Sequence, residues 1–517
     1  MANKQLFQST QGAFLAAADA RNDEGAMAYR YSARHRLAQY AVTGCLSNTF
    51  YAGGAAQLKQ VLALSQELDA DFIAKAAVYA RENASMKDMP ALLLAVLSVK
   101  STEHLKRVFD RVIDNGRMLR SFVQILRSGV TGRKSLGSAP KALVQKWINT
   151  ADERKLIDAA IGNEPSLADV VRMVHPKPAD ASREAFYGWL LGKPYALEAL
   201  PQKLQEFVVY KFDRTRAVPE VPFQMLTALG LNRDEWAAVA RRGNWHMVRM
   251  NLNTFARHGV FEVHGMAEVI AEKLRDRAAI KKVGALPYQL MAAYRAAGPA
   301  IPETVREALQ DALDVALENI VAFDDRVVVC PDVSGSMASP ITGMRRGATS
   351  AVRYIDVAAL VAAAVLRANR NVRVLPFEKG VCTIDLNARD SVMTNAAKLA
   401  SIGGGGTNCS APLKWLNDRR ERAELVIFVS DNESWMDARN TGPTEMMRQW
   451  NAFKRYNAAA KLVCIDLQPN ATTQALERPD VLNVGGFADD VFEVVNAFAA
   501  GKLSAGHWVE KIEAMVI

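Results

Sequence analysis

The apolar run Val327-Val328-Val329-Cys330-Pro331 ends at Asp332-Val333-Ser334-Gly335-Ser336, and no other stretch of the 517 residues constrains the fold so tightly. A short β-branched run without polar alternation reads as a strand covered on both faces, which belongs in a parallel sheet packed between helices. One carboxylate and two hydroxyls alternate where that strand stops. Open parallel sheets carry their ligand sites at the carboxyl ends of the strands. The oxygens suit a hard divalent cation such as Mg²⁺, which prefers oxygen ligands and keeps some water. One carboxylate with two neutral hydroxyls leaves residual positive charge and an open position that an acidic group from a partner can fill. Asp and Ser also cap helices and form turns, so the motif needs support from elsewhere.

Two later segments supply it. Gly403-Gly404-Gly405-Gly406-Thr407-Asn408 is a flexible loop ending in a hydroxyl residue, and Ala423–Asp431 is a second buried-type strand ending in Asp. Together, and in this order, the three segments resemble the metal-ion-dependent adhesion site of von Willebrand factor A domains. The resemblance implies that Asp332, Ser334 and Ser336 are direct ligands of a divalent ion, most simply Mg²⁺. Thr407 and Asp431 would bind directly or through water, depending on state. Further β-branched runs at Asn371–Phe377, Ala460–Leu467 and Val481–Val484, with a helical run at Ala351–Asn369, predict an α/β doubly wound domain over residues 325–517. Asp490–Ala499 reads as its last helix.

The preceding residues read differently. Amphipathic runs follow one another with short breaks, among them Gly54–Glu67, Ala70–Glu82, Pro90–Val99, Thr102–Asp114, Gly116–Leu126, Ala139–Thr150 and Ala181–Leu191. Pairs of about 40 residues predict an all-α, HEAT-like helical repeat over 1–324; an irregular bundle fits the same pattern. A multidomain chain follows from length alone. No run of 18 uncharged apolar residues reads as a membrane span, and Met1–Gln5 lacks a secretory signal's apolar core. Cys45, Cys330, Cys382, Cys409 and Cys464 are scattered, without a C-x-x-C pair. They read as reduced, buried thiols of a cytoplasmic protein with no disulfide.

Charge separates the two parts. Residues 1–300 carry 41 Lys and Arg against 28 Asp and Glu; the remaining residues carry 23 against 27. The densest basic window, 101–150, holds ten cations and three acids. Such a concentration is the footprint expected for phosphate backbones, although most single cations serve only as solvated surface. Within the window, Arg127–Lys141 gathers three glycines, four hydroxyl residues and four cations in fifteen positions. Glycine permits close backbone approach, and Arg can grip phosphate with two donors. Arg127, Thr131, Arg133, Lys134, Lys141 and Lys146 are therefore candidate contacts to a nucleic-acid phosphate backbone. The spacing is not G-x-x-x-x-G-K-[ST], which argues against nucleotide hydrolysis. Downstream, a helix should end at His175, before Pro176-Lys177-Pro178. His175 can cap that helix, or it can meet an unpaired base with Lys177 on a phosphate.

These segments, with Leu37–Gly53, Ser128–Asn149, Leu167–Pro178, Met247–Phe261 and Leu286–Tyr294 in order ahead of the D-x-S-x-S motif, resemble the bacterial Ro ribonucleoprotein family, whose helical part is the TROVE module. The likeness spans about 20–517. Leu37–Gly53 departs from the family's Gly-rich form, and no function is carried onto it. The resemblance implies a closed ring of HEAT-like helix pairs with the A-type domain attached. It implies small noncoding Y-type RNA on the outer basic surface, and single-stranded 3′ ends of misfolded or immature RNAs in the central hole. It implies work beside exoribonucleases in RNA quality control, decay and ribosomal RNA maturation. The family's RNA-contacting histidine matches His175, and its Gly-Arg segment matches Gly132-Arg133.

Three classes of function follow: a noncatalytic RNA-binding scaffold, a metal-dependent protein-adhesion module on a helical platform, and a nuclease. Asp332 and Asp431 are the sole carboxylate pair available to the third, and the hydroxyls beside them suit binding better than two-metal cleavage. The expectation is the scaffold, not an enzyme.

Overall fold

The computed structural model describes residues 15–133, 135–285, 287–318, 323, 326–341, 352–435, 442–487, 489–502 and 507–517. Two compact units emerge: Met1–Glu67 with Leu317–Ala514, and Leu68–Ala316 with Met515–Ile517.

Among the described residues the first unit has eight strands: β1 Ala20–Arg21, β2 Met27–Arg30, β3 Val327–Pro331, β4 Val372–Val374, β5 Leu425–Ser430, β6 Lys461–Asp466, β7 Thr472–Thr473 and β8 Val481–Gly485. Five form one sheet in the order β4-β3-β5-β6-β8, every pair parallel. The uninterrupted apolar runs explain this. Every residue of β3 and β5 is buried, as the central strands of a helix-covered sheet must be, and the edge strand β8 is buried as well. One face carries Val328, Cys330, Val426, Phe428, Leu462 and Cys464 into a core shared with Met447, Trp450 and Phe453. Tyr354–Ala368, apolar almost all round, is buried over most of its length and packs on β3, β4 and β5.

The N-terminal segment adds to this unit what its sequence did not predict. β1 and β2 form a hairpin, and β2 pairs antiparallel with β7, Tyr29 opposite Thr473. The helix Ala33–Thr43 lies on β8. A Cβ at Gly485 would meet Gln39 Oε1 at 2.6 Å, so only glycine admits the approach. Tyr31 and Gln39 each donate to Asp466 Oδ2 at 2.8 Å. Residues 15–67 thus fold with the α/β part, although their sequence precedes the helical region. The helix predicted to be last is Asp489–Ala499, and a further one, His507–Glu513, follows it.

The second unit is all helical. Its helices begin on side-chain caps that recur along the chain: Asp69, Ser101, Asn115, Asp152, Ser166 and Asp180 each accept from a backbone N–H of the first turn. Asp88–Lys100 is apolar on all sides and buried from Met89 to Ser98, as expected of a helix surrounded by others. Ala70–Glu82 packs on Asp88–Lys100 and on Thr102–Val112; Asp88–Lys100 packs on Gly116–Ser128, and Thr102–Val112 on Ser138–Thr150. Contact with the next helix and the next but one is the arrangement of stacked helix pairs. Two predicted helices are each broken in two: Glu198–Phe212 at Pro201, and Trp245–Arg257 at Asn251. Among the described residues, no helix is long and apolar enough to cross a membrane.

Candidate metal centre and nucleic-acid surface

β3 and β5 are adjacent and in register, Pro331 opposite Val429, so the residues that follow them emerge side by side. Asp332, Ser334, Ser336, Thr407 and Asp431 all lie buried at this end of the sheet. Asp332 Oδ1 accepts from Ser334 N at 2.8 Å, and Oδ2 accepts from the Ser430 hydroxyl at 2.6 Å. The Ser334 and Ser336 hydroxyls are 3.3 Å apart. The glycine loop closes over them: Gly335 N donates to Gly405 O at 2.8 Å, and Gly404 N to Val333 O at 3.3 Å. A Cβ at Gly405 would run into the Glu378 carboxylate, and one at Gly406 into the Trp435 indole. The glycines therefore serve close approach as well as flexibility.

Electrostatics separate the two carboxylates from ordinary surface acids. Burial pushes Asp332 up, and its bonds from Ser430 and Ser334 pull it part-way back. Asp431 is pushed up first by burial and then by the Asp332 charge. The Ser336 hydroxyl and the Glu433 backbone N–H pull it part-way back. Two buried carboxylates facing each other cost free energy unless a cation or proton compensates them. The donor set fits a hard divalent ion. The described residues hold no group of three or more His, Cys, Asp and Glu side chains that could bind a metal; a site of two carboxylates and three hydroxyls is of another kind.

Three neighbours were not foreseen. Tyr51, from the segment given no role, has its hydroxyl beside Ser336 and Asp431, and burial followed by the Asp431 charge pushes its pKa far up. Glu433 is nearly buried and also pushed up, by burial and then by Asp23 and Asp431; its Oε2 accepts from Asp23 N at 3.0 Å. Glu378 follows Phe377, which bridges to Asp332. The D-N-E run after β5 and the aromatic pair Phe50-Tyr51 carried a signal, but only the fold places Glu433 and Tyr51 at one end of the sheet.

In the helical unit the predicted RNA residues divide. The helix Ser138–Thr150 ties two of the motifs together: Gln145 Nε2 donates to Val174 O at 2.6 Å, and Asn149 Nδ2 to Lys177 O at 2.8 Å. Arg127, at the end of Gly116–Ser128, reaches Met173 Sδ at 3.1 Å. Arg127, Lys146, His175 and Lys177 are exposed or partly so, and Lys141 is half-buried on the same helix as Gln145. Lys146 pairs with Asp110 at 3.0 Å, both well exposed. His175 caps Leu167–Val174 in the left-handed conformation, φ 48°, its N–H bonded to Val171 O. The residue is exposed, so the capping role and the RNA role are compatible.

Arg133 is turned inward. Its guanidinium donates to Ser98 O and, at 3.5 Å, to Leu136 O. Thr131 Oγ1 is buried without a partner among the described residues. Lys134 lies outside the described residues. Of the five cysteines, Cys330, Cys409 and Cys464 are buried, Cys45 and Cys382 only half so, and none forms a disulfide.

Comparison with known proteins agrees with this architecture. The family model described as the Ro60 vWA domain matches residues 326–499. A curated relative, the RNA-binding protein RO60 of Deinococcus radiodurans, is 26% identical over 520 residues, covering 93% of this chain and 96% of the relative. The chain is similar to a Ro-type protein over nearly its whole length. The crystal structure of the Deinococcus radiodurans RO (RSR) protein has the same fold, with a TM-score of 0.60 at 21% identity; the match covers 91% of this chain and 100% of that one. The helical region is HEAT-like, ahead of an α/β region that matches the Ro60 vWA model.

Proposed function

We propose that this chain is a noncatalytic RNA-binding component of a ribonucleoprotein, with its RNA surface on the helical unit around Ser138–Thr150. The observation that carries the reading is that one helix joins the basic loop and the His175–Lys177 segment through Gln145 and Asn149, in a chain similar to an RNA-binding protein over nearly its whole length. Arg127, Lys141, Lys146 and Lys177 neutralise phosphates, and the exposed His175 ring meets an unpaired base. The RNAs are small noncoding Y-type RNAs and misfolded or precursor RNAs with single-stranded 3′ ends. The setting is RNA quality control, decay and ribosomal RNA maturation beside an exoribonuclease, in the cytoplasm.

The A-type domain holds Mg²⁺ through Asp332, Ser334 and Ser336, with Thr407 and Asp431 direct or through water. When bound, the ion supplies a position for an acidic side chain of a protein partner. The buried Asp332–Asp431 pair favours this second role, and the alternative is that metal-dependent adhesion is the whole activity. Sequencing the RNA that copurifies at moderate salt decides between them. Enrichment of small structured RNAs and of precursors with 3′ extensions supports the proposal. Protein free of RNA that binds an acidic partner only with Mg²⁺ refutes it.

A further inference from the structure

The slightly acidic average of the stretch 301–517 hides a concentration of arginine at the end of the sheet opposite the candidate metal centre. Val327 of β3 stands opposite Val372 of β4 on one side and Leu425 of β5 on the other. Residues just ahead of these strands therefore surface together: Arg370 before β4, Arg326 before β3 and Arg422 before β5. The strand order lays them out as Arg370, Arg326, Arg422, across about 10 Å at the usual spacing between strands. With Arg373 of β4 they line an open groove of roughly 550 Å³ that also holds Asp385 and Glu421.

Two of the four are committed. Arg326 faces Glu424 at 3.7 Å, and Arg373 faces Glu421 at 3.3 Å. Arg373 and Arg419 also lie over the Trp415 ring, at 5.4 and 4.2 Å from its centroid. Arg370 and Arg422 are solvent-accessible and have no ion-pair partner among the described residues. Lys461, at the start of the next strand, differs: its ammonium is bonded to Phe498 O and Ala499 O. The exposed large hydrophobic side chains lie elsewhere in the chain, and none of them lines the groove.

We propose that this groove is a second binding site for an RNA phosphate backbone, on the A-type domain itself. Guanidinium is the side chain best matched to phosphate, because its planar donors engage two oxygens at once. Two unpaired guanidiniums, one on each side of Arg326, give a polyanion two footholds across the sheet end. An acidic protein partner would also meet the charge, but tight protein interfaces are anchored by buried aromatic or apolar side chains in pockets. The apolar lining, Leu366, Val372, Val374, Ile384 and Leu386, is only half-exposed, and the exposed side chains at the rim include the unpaired arginines, which suit a phosphodiester chain. The site stands independently of the helical surface.

The test uses the full chain and a fluorescein-labelled 20-nucleotide oligouridylate, with anisotropy titrations from 50 to 200 mM KCl, both values chosen within the roughly 50–200 mM range over which such binding is salt-sensitive. Arg370→Gln/Arg422→Gln is compared with Arg127→Gln/Lys141→Gln/Lys177→Gln, and melting curves verify that each variant is folded. Loss of two phosphate contacts should weaken binding and take about 1.4 off the slope of log K against log salt. That result with the groove variant supports the proposal, including when the helical variant binds normally, in which case only the helical reading fails. A groove variant with wild-type affinity and slope overturns it. So does a labelled oligoglutamate peptide that binds the wild type and is lost in the groove variant while RNA binding is unchanged, since the groove would then serve an acidic protein.

Discussion

Arg133 gives the sharpest separation between what a basic motif suggests and what the fold does with it. Its guanidinium reaches the carbonyl of Ser98, in the last turn of Asp88–Lys100. Carbonyls of a last turn lack partners within their own helix, and a cation there also complements the helix dipole. Ser98 is fully buried, so removing the cation leaves its carbonyl dry and unpaired. Hydrogen bonds to charged groups are worth about 1.5–3 kcal/mol; taking about 2 kcal/mol, Arg133→Ala should lower the melting temperature of the helical unit by about 4–8 °C. Gly137 supports the same bond: it has φ 76°, and a Cβ there would collide with Arg133 Nη1, so Gly137→Ala should destabilise in the same direction. Calorimetric melting of the full chain reads the loss, and hydrogen exchange along Asp88–Lys100 locates it. In parallel, the salt slope of RNA binding should stay at its wild-type value. A variant that melts normally but loses about 0.7–0.9 from that slope would show that Arg133 holds phosphate, and the structural account would be wrong.

Further outcomes follow from the remaining sites. Asp431→Ala should remove Mg²⁺ binding in calorimetric titration of the full chain and leave RNA affinity unchanged; undiminished Mg²⁺ heat would sink the metal assignment. His175→Ser should lower affinity for an RNA with a single-stranded 3′ tail while the salt slope stays constant, because the ring is assigned to an unpaired base and not to a phosphate; a slope that falls by a full phosphate contact would contradict this. Incubation with Mg²⁺ or Mn²⁺ for hours should leave structured and single-stranded RNA intact, and cleavage that vanished in Asp332→Ala would restore the nuclease reading. Asp466 is pushed up to about 7 from 3.8, first by burial and against the bonds from Tyr31 and Gln39. Between those values the folded chain holds a proton that the unfolded chain has released, so this contribution to stability is full below about pH 4 and falls as pH rises to about 7. The difference is about 4 kcal/mol at about 1.36 kcal/mol per pKa unit. Asp466→Asn keeps an acceptor for Tyr31 and Gln39, and its urea midpoint should lose this slope relative to wild type; an unchanged pH profile would show that Asp466 is ionised in the fold.

The parts of the fold that were legible in the sequence share one property: they were encoded locally. The runs of β3 and β5 could be read because strands buried on both faces cannot tolerate polar alternation. The helices of the second unit could be read because most of them begin at a capping Asp, Asn or Ser. The five candidate metal residues follow strand ends or a glycine loop, so family order was enough to group them, and the fold gathers all five at one end of the sheet. Tyr51 and Glu433 were not legible. Their meeting depends on an N-terminal segment anchored by a hairpin whose partner, β7, lies near the far end of the chain from β2. Nothing in Ala20–Arg30 names that partner.

Charge was legible only as an average, and averages mislead in both directions. The window 101–150 is basic, yet Arg133 within it spends its donors on carbonyls of its own unit, and Lys146 is shared with Asp110. The stretch 301–517 is slightly acidic, yet the parallel register of β4, β3 and β5 brings arginines distant in sequence to one groove. Counting cations therefore locates the unit that carries most positive charge without saying which cations are free to hold a ligand. That depends on whether a carbonyl or carboxylate lies within reach of each head group, which is a property of topology. The available ones here, Arg127 and Lys177 on one unit and Arg370 and Arg422 on the other, come from segments of quite different local composition. A variant series chosen from the basic window alone would have included Arg133 and omitted Arg370 and Arg422. It would thus have confounded folding with binding on one unit and left the other untested.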